Sequence, residues 1–274
     1  MTVDFHTKLR HSWRARQSML CVGLDPDRTQ FPAPLRDRDD GIERFCTAII
    51  DATAPMVCAF KPQFAHFASE RAEPQLERVC AYIRERYPEH VIVLDAKRGD
   101  IGSTAEHYAR EAFVRYGADA VTVNPYLGLD SVEPFLRHEG KGTLILCRTS
   151  NPGGDDFQSM LIDGVPLYVH VARRVGDEWS RLGQCGLVVG ATYPTELGRA
   201  REAVGDLPIL LPGIGMQQGD IAGSVSAGQD SEGFGLMMSS SRAILYAGTG
   251  DDFAEAAARA ATATRDEIRL VSVA

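Results

Sequence analysis

The chain has no excess of basic residues: 29 Lys and Arg stand against 37 Asp and Glu, a net charge of −8. That balance excludes a general field for nucleic acid or anionic membrane, so any anionic ligand must be held by local donors. Paired cysteines are missing as well. Cys21, Cys46, Cys58, Cys80, Cys147 and Cys185 are scattered, with no C-x-x-C pair and no histidine cluster at metal-ligand spacing. They read as reduced core thiols, and no metal is expected. Nor is there a long apolar run near the start. Arg10, Arg14 and Arg16 precede a short apolar stretch ending at Gly23-Leu24-Asp25-Pro26, unlike a secretory or spanning segment, so a cytoplasmic setting is expected.

What the chain does have is alternation. Its 274 residues, 44% of them hydrophobic, can bury one large core, and a single domain over 1–274 is expected. Short apolar runs at 19–24, 56–60, 91–94, 118–123, 143–147, 186–189, 208–211 and 235–238 read as strands. Helical patterns lie between them, among them 41–51, 74–86, 104–116, 165–182 and 194–204, and a last one covers 251–270. Eight βα units predict an α/β fold of the (β/α)8 TIM-barrel type, with a parallel sheet. Residues 3–17 have no strand before them and are expected to form an extra N-terminal helix closing the barrel's bottom.

The richest stretch is Leu94-Asp95-Ala96-Lys97-Arg98-Gly99-Asp100-Ile101-Gly102-Ser103-Thr104. It sets a lysine between two carboxylates at the end of an apolar run. Side chains two apart on a strand share a face, so Asp95 and Lys97 are expected to project together, with the turn at Gly99 able to swing Asp100 back toward them. Ser103-Thr104-Ala105-Glu106 has the form of a capping box, which starts the helix after the charges and leaves Asp100 and Ile101 in the loop. That loop lies on the C-terminal face, where barrel enzymes keep their chemistry. Taken alone, D-x-K-x-x-D is what many solvated loops contain, and a surface ion pair adds little stability.

Other strand ends carry matching groups. Asp25 follows the first strand, Lys61 ends the second and Ser150 follows the fifth, in Arg148-Thr149-Ser150-Asn151-Pro152-Gly153-Gly154. Each has an ordinary reading, as a turn residue, a snorkelling lysine or a cap. Five polar groups at one topological address, with Asp95 and Lys97, make a site the better reading. After strand seven comes Pro212-Gly213-Ile214-Gly215-Met216-Gln217, and after strand eight Ser239-Ser240-Ser241-Arg242 followed by helix-compatible 243–247. Glycines that admit a ligand to the backbone, the Ser241 and Arg242 amides at a short helix start, and the Arg242 guanidinium suit a phosphate there.

Together, D-A-K-R-G-D-I-G-S-T, the lysine ending strand two, R-T-S-N-P-G, P-G-I-G-x-Q and S-S-S-R resemble the orotidine 5′-phosphate decarboxylase family, in its longer bacterial branch. The resemblance runs from about Asp25 to Arg242. It implies decarboxylation of orotidine 5′-phosphate to uridine 5′-phosphate, the last step of pyrimidine nucleotide synthesis, with no metal or organic cofactor. By the same resemblance Lys61, Asp95, Lys97 and Asp100 form a charge network and Lys97 donates the proton to C6. It further implies a homodimer with shared sites, in which Asp100, Ile101 and Thr104 come from the neighbouring subunit. Asp25 and Lys61 would hold the ribose hydroxyls, Ser150 the pyrimidine amide edge, and Gln217 and Arg242 the phosphate. The loops after Ser150 and Pro212 would close over the ligand.

The chain departs from the family pattern at Met216 and Gln218, so either Gln217 or Gln218 carries the phosphate amide. Residues 219–235, rich in Gly, Ser and Asp, carry no assignable pattern. Two alternatives stand beside the main reading. Mg2+-dependent sugar-phosphate decarboxylases and synthases also carry D-x-K-x-x-D, but need a carboxylate where this chain has Lys61, whose own cation disfavours a metal. A catalytically silent phosphate-binding barrel would have no use for a costly charge network.

Overall fold

The computed structural model describes residues 3–214 and 220–272. Eight parallel strands close into a barrel: β1 (Leu20–Leu24), β2 (Ala59–Pro62), β3 (Val91–Arg98), β4 (Ala120–Val123), β5 (Gly142–Arg148), β6 (Gln184–Val189), β7 (Ile209–Pro212) and β8 (Leu236–Ser240). They follow in chain order around the barrel, and β8 pairs back onto β1. Such strands are covered on both faces, which is why they read as unbroken apolar runs. All six cysteines are buried free thiols. Among the described residues no helix is long and apolar enough to cross a membrane.

The extra helix, Phe5–Arg16, is where the sequence placed it. Asp4 caps it by accepting from the Thr7 amide at 2.9 Å, and Arg14 and Arg16 favour its C-terminal end. Its buried face of Phe5, Leu9 and Trp13 lies against the strand entrances. There the Phe5 amide donates to Gly140 O, Ser12 Oγ donates to Cys58 O and His6 Nε2 meets Cys185 O. The helix therefore plugs the face opposite the charged strand ends, where burying each large side chain contributes roughly 1.5–3 kcal/mol.

Several boundaries differ from the sequence reading. The second strand starts at Ala59, because Ala54–Met56 make a 3-10 turn, and it runs to Pro62, with Lys61 near its end as expected. The capping box does not form: the helix runs Gly102–Arg110, with Ile101 at its N-cap and no side-chain cap bond. Gly102, at φ +54°, turns the chain into the helix early and leaves Ser103 inside the first turn, without the extended backbone a cap needs. This helix ends in a π turn, Glu111–Arg115. Val165 and Pro166 belong to a small hairpin with Leu161–Ile162, and the helix follows as Leu167–Asp177. Within 219–235 lies a helix, Ile221–Gly228, capped by Asp220. Its small residues gave no apolar stripe, yet Gly228 is what lets it approach Leu197, since a Cβ there would sit 2.8 Å from Leu197 Cδ2.

His90 is buried between Phe60 and Tyr87, and its Nε2 lies 2.8 Å from Ala54 O. Burial holds its pKa, and that of His6, below the ordinary 6.5. The unfolded chain then binds these protons more readily than the fold, so stability is complete above about 6.5 and declines as pH falls below it. The urea midpoint is expected to drop on acidification through that range, less steeply in His90→Gln. A midpoint flat through that range would contradict the burial argument.

Candidate active site

Asp95 is the centre of the C-terminal mouth. Its side chain is 6% exposed, and the carboxylate takes four donors. Lys61 Nζ (2.8 Å) and Gln63 Nε2 (3.0 Å) reach Oδ2, while Lys97 Nζ (2.6 Å) and Thr122 Oγ1 (3.0 Å) reach Oδ1. Burial alone would push the Asp95 pKa up, but the charges of Lys61 and Lys97 more than offset it and hold the carboxyl well below its ordinary range. Burial likewise opposes the Lys61 ammonium, and Asp95 and Asp25 overcome it, so Lys61 stays protonated. The Lys97 side chain is about half exposed, at 47%, and reaches into the cleft.

Asp95 and Lys97 meet as expected, though not by simple strand alternation. Lys97 sits at φ +46°, a left-handed backbone that is held at about 1–3 kcal/mol for a residue other than glycine. Arg98 anchors the exit from this irregularity. Its guanidinium pairs with Glu111 at 2.8 Å and lies over the rings of Phe64 and Tyr108, at 4.2 and 4.6 Å.

The same cleft is lined by Asp25, Ser150, Pro212, Gly213, Ser241 and Arg242. The loop bearing Asp25 is pinned by Tyr246, whose hydroxyl accepts from the Asp27 amide at 2.8 Å and donates to Asp25 O at 2.9 Å. Among the described residues Asp25 Oδ1 is buried without a hydrogen-bond partner, an acceptor suited to a ligand hydroxyl. Ser241 reaches the cleft because residue 23 is glycine: a Cβ there would lie 1.9 Å from Ser241 Oγ. Gly190 admits Ser150 in the same way, with a Cβ position 2.8 Å from the Ser150 amide. The helix Arg242–Leu245 begins at the cleft, so its first amides face the opening.

Three predicted residues are not brought to Lys97 within this chain. Asp100 Oδ1 accepts from the Ile101 amide at 2.8 Å instead of turning back, and Ile101 and Thr104 are exposed on the rim. The turn at Gly99 leads straight into the helix at Gly102, with Asp100 in the short link between them. Gln217 and Gln218 lie outside the described residues. Gln63 and Thr122 were missed, as were Ser239 and Tyr246. Gln63 was within reach of the alternation argument, being two residues past Lys61; Thr122 is an isolated polar residue inside Val121-Thr122-Val123 and gave no signal.

A closed parallel barrel with alternating charges at its C-terminal mouth, beside a glycine-bearing end of β7 and a serine-rich end of β8, defines a (β/α)8-barrel enzyme. The match to the model of the orotidine 5′-phosphate decarboxylase / HUMPS family covers residues 18–260, and the chain belongs to that family. It is 59% identical over 266 residues to the orotidine 5′-phosphate decarboxylase of Janthinobacterium sp. (strain Marseille), covering 97% of this chain and 98% of the relative. It is 60% identical over 267 residues to that of Aromatoleum aromaticum, covering 97% and 98%. Among solved structures, Leishmania donovani OMP decarboxylase superposes with a TM-score of 0.86 at 34% identity, over 99% of this chain and 100% of that one.

Proposed function

We propose that the chain, acting as one catalytic domain, decarboxylates orotidine 5′-phosphate to uridine 5′-phosphate, the closing step of pyrimidine nucleotide synthesis. The observation that carries this reading is the buried Asp95 carboxylate held between two ammonium groups, with Lys97 reaching into the cleft. Family membership supports the same activity. A cytoplasmic setting belongs to the same proposal.

In the reaction the bond between C6 and the carboxylate breaks and CO2 departs. Its electron pair remains on C6 in the plane of the ring, where no π system delocalises it. Lys97 Nζ then gives a proton to C6 and regains one from water. An ammonium fixed where the charge develops stabilises the transition state without reorganisation, and the same group then quenches the carbanion. Asp95 fixes the position of the Lys97 ammonium, 2.6 Å from its Oδ1, and would also face the substrate carboxylate. Two like charges about 4 Å apart at an effective dielectric of about 20 repel by about 4 kcal/mol, a smaller contribution than transition-state stabilisation. In this assignment Asp25 and Lys61 take ribose hydroxyls and Ser150 the pyrimidine edge. Asp100, Ile101 and Thr104 serve the site of a partner subunit in a homodimer.

Arg242, with the Ser241 and Arg242 amides and the chain after Pro212, holds the phosphate. Gln217 is assigned to the phosphate on the resemblance alone. Binding energy from this remote group would hold the ring against the charges at C6. Arg242→Ala is expected to raise KM about 10- to 150-fold, the range of one charged hydrogen bond, and an unchanged KM would remove Arg242 from the phosphate site. The metal-dependent alternative is disfavoured by Lys61, whose ammonium stands 2.8 Å from Asp95. The decisive assay adds orotidine 5′-phosphate to the purified chain in a chelator and follows loss of the orotate-type absorbance. Rapid conversion to uridine 5′-phosphate is expected; a folded chain that leaves the absorbance unchanged would overturn the proposal.

A further inference from the structure

The strand that carries Asp95 and Lys97 does not run evenly beside its neighbour. Leu94 lies opposite Val121 and Arg98 opposite Val123, so β3 advances four residues while β4 advances two. Asp95, Ala96 and Lys97 therefore face a single residue, Thr122. The amides of Ala96 and Lys97 donate to Thr122 Oγ1, at 3.0 and 2.9 Å. A hydroxyl has two acceptor sites and one proton. With both acceptor sites taken by amides, the proton is directed to Asp95 Oδ1, 3.0 Å away, the oxygen that also takes Lys97 Nζ at 2.6 Å.

We propose that Thr122 is a positioning residue of the decarboxylation: its one hydroxyl holds both the left-handed backbone of Lys97 and the carboxylate that its ammonium faces. The inference deepens the decarboxylase reading and rests on it. Thr122 is fully buried in β4, so no water stands in easily for the hydroxyl. Valine would keep the shape and leave two partly buried amides without their acceptor and Asp95 without one donor. The backbone would then lose what holds Lys97 at φ +46°, and the ammonium would shift relative to C6. A displacement of about 1 Å at a reacting group lowers turnover about 100-fold.

The test compares wild type, Thr122→Val and Thr122→Ser well below their unfolding temperatures, with folded sites counted by stoichiometric binding of uridine 5′-phosphate. For Thr122→Val, kcat per folded site is expected to fall about 100-fold, with nucleotide affinity kept within about threefold because the phosphate is held by other strands. Thr122→Ser is expected to recover kcat to within about tenfold of wild type. A Thr122→Val variant whose folded sites turn over within about threefold of wild type would reduce Thr122 to a packing role and overturn the proposal. If Thr122→Val does not fold, Thr122→Cys, with its weak donor and acceptor, replaces it; wild-type turnover there would be equally fatal, and a loss of at least about tenfold supportive. A wild type inert toward orotidine 5′-phosphate would instead sink the decarboxylase reading. The positioning claim is then judged by the crystal structure of Thr122→Val: Lys97 leaving the left-handed region supports it, and an unmoved Lys97 overturns it.

Discussion

Lys97→Ala is expected to lower kcat on the order of 10⁵-fold, combining the usual loss of a proton donor with that of a preorganised charge. Binding of uridine 5′-phosphate should largely persist, because the proposed phosphate site lies at β7 and β8, away from Lys97. Lys97 is a better position for this test than Lys61. The Lys97 side chain is 47% exposed, whereas that of Lys61 is 4% exposed and paired with Asp95. Removing Lys61 would leave a buried carboxylate short of a partner and confound catalysis with folding. Single-turnover measurements on the folded variant decide the matter: turnover within tenfold of wild type would exclude Lys97 as the donor.

Mixing inactive Lys97→Ala with inactive Asp100→Ala is expected to restore activity if each site draws Asp100 from the partner. Asp100 accepts from the Ile101 amide and forms no ion pair with Lys97 in its own chain, while Ile101 and Thr104 are exposed beside it. A hybrid dimer then has one site with both residues intact and one with neither. Random exchange of equal amounts makes half the dimers hybrids, so about one quarter of wild-type activity should return. Demonstrated subunit exchange with no recovery would rule out the shared site and assign the need for Asp100 to its own subunit.

The sequence by itself determined the barrel, because a strand buried on both faces must be apolar throughout and its end is marked where charges begin. Eight such runs separated by helical patterns leave few other topologies. The positions of Asp25, Lys61, Asp95, Lys97 and Ser150 on one mouth followed from the same rule, since every βα turn of a parallel barrel lies at the same end. The proposed phosphate cradle was legible in part, as glycines and a helix start, while Gln217 lies outside the described residues.

Only the tertiary structure decided how those groups are held. A strand pattern records which residues are buried, but not that β3 spends four residues against two of β4, so the left-handed Lys97 and the hydrogen bonds of Thr122 were invisible. The capping box failed for a related reason: Ser103 and Glu106 satisfy a local rule, but Gly102 starts the helix before it can apply. Arg98 looked like a solvated loop residue and is instead clamped by Phe64, Tyr108 and Glu111, which come from two other parts of the chain. Periodicity is a property of one element along its own axis. Hydrogen bonds and ring contacts between elements depend on register, and register is settled only when the barrel closes.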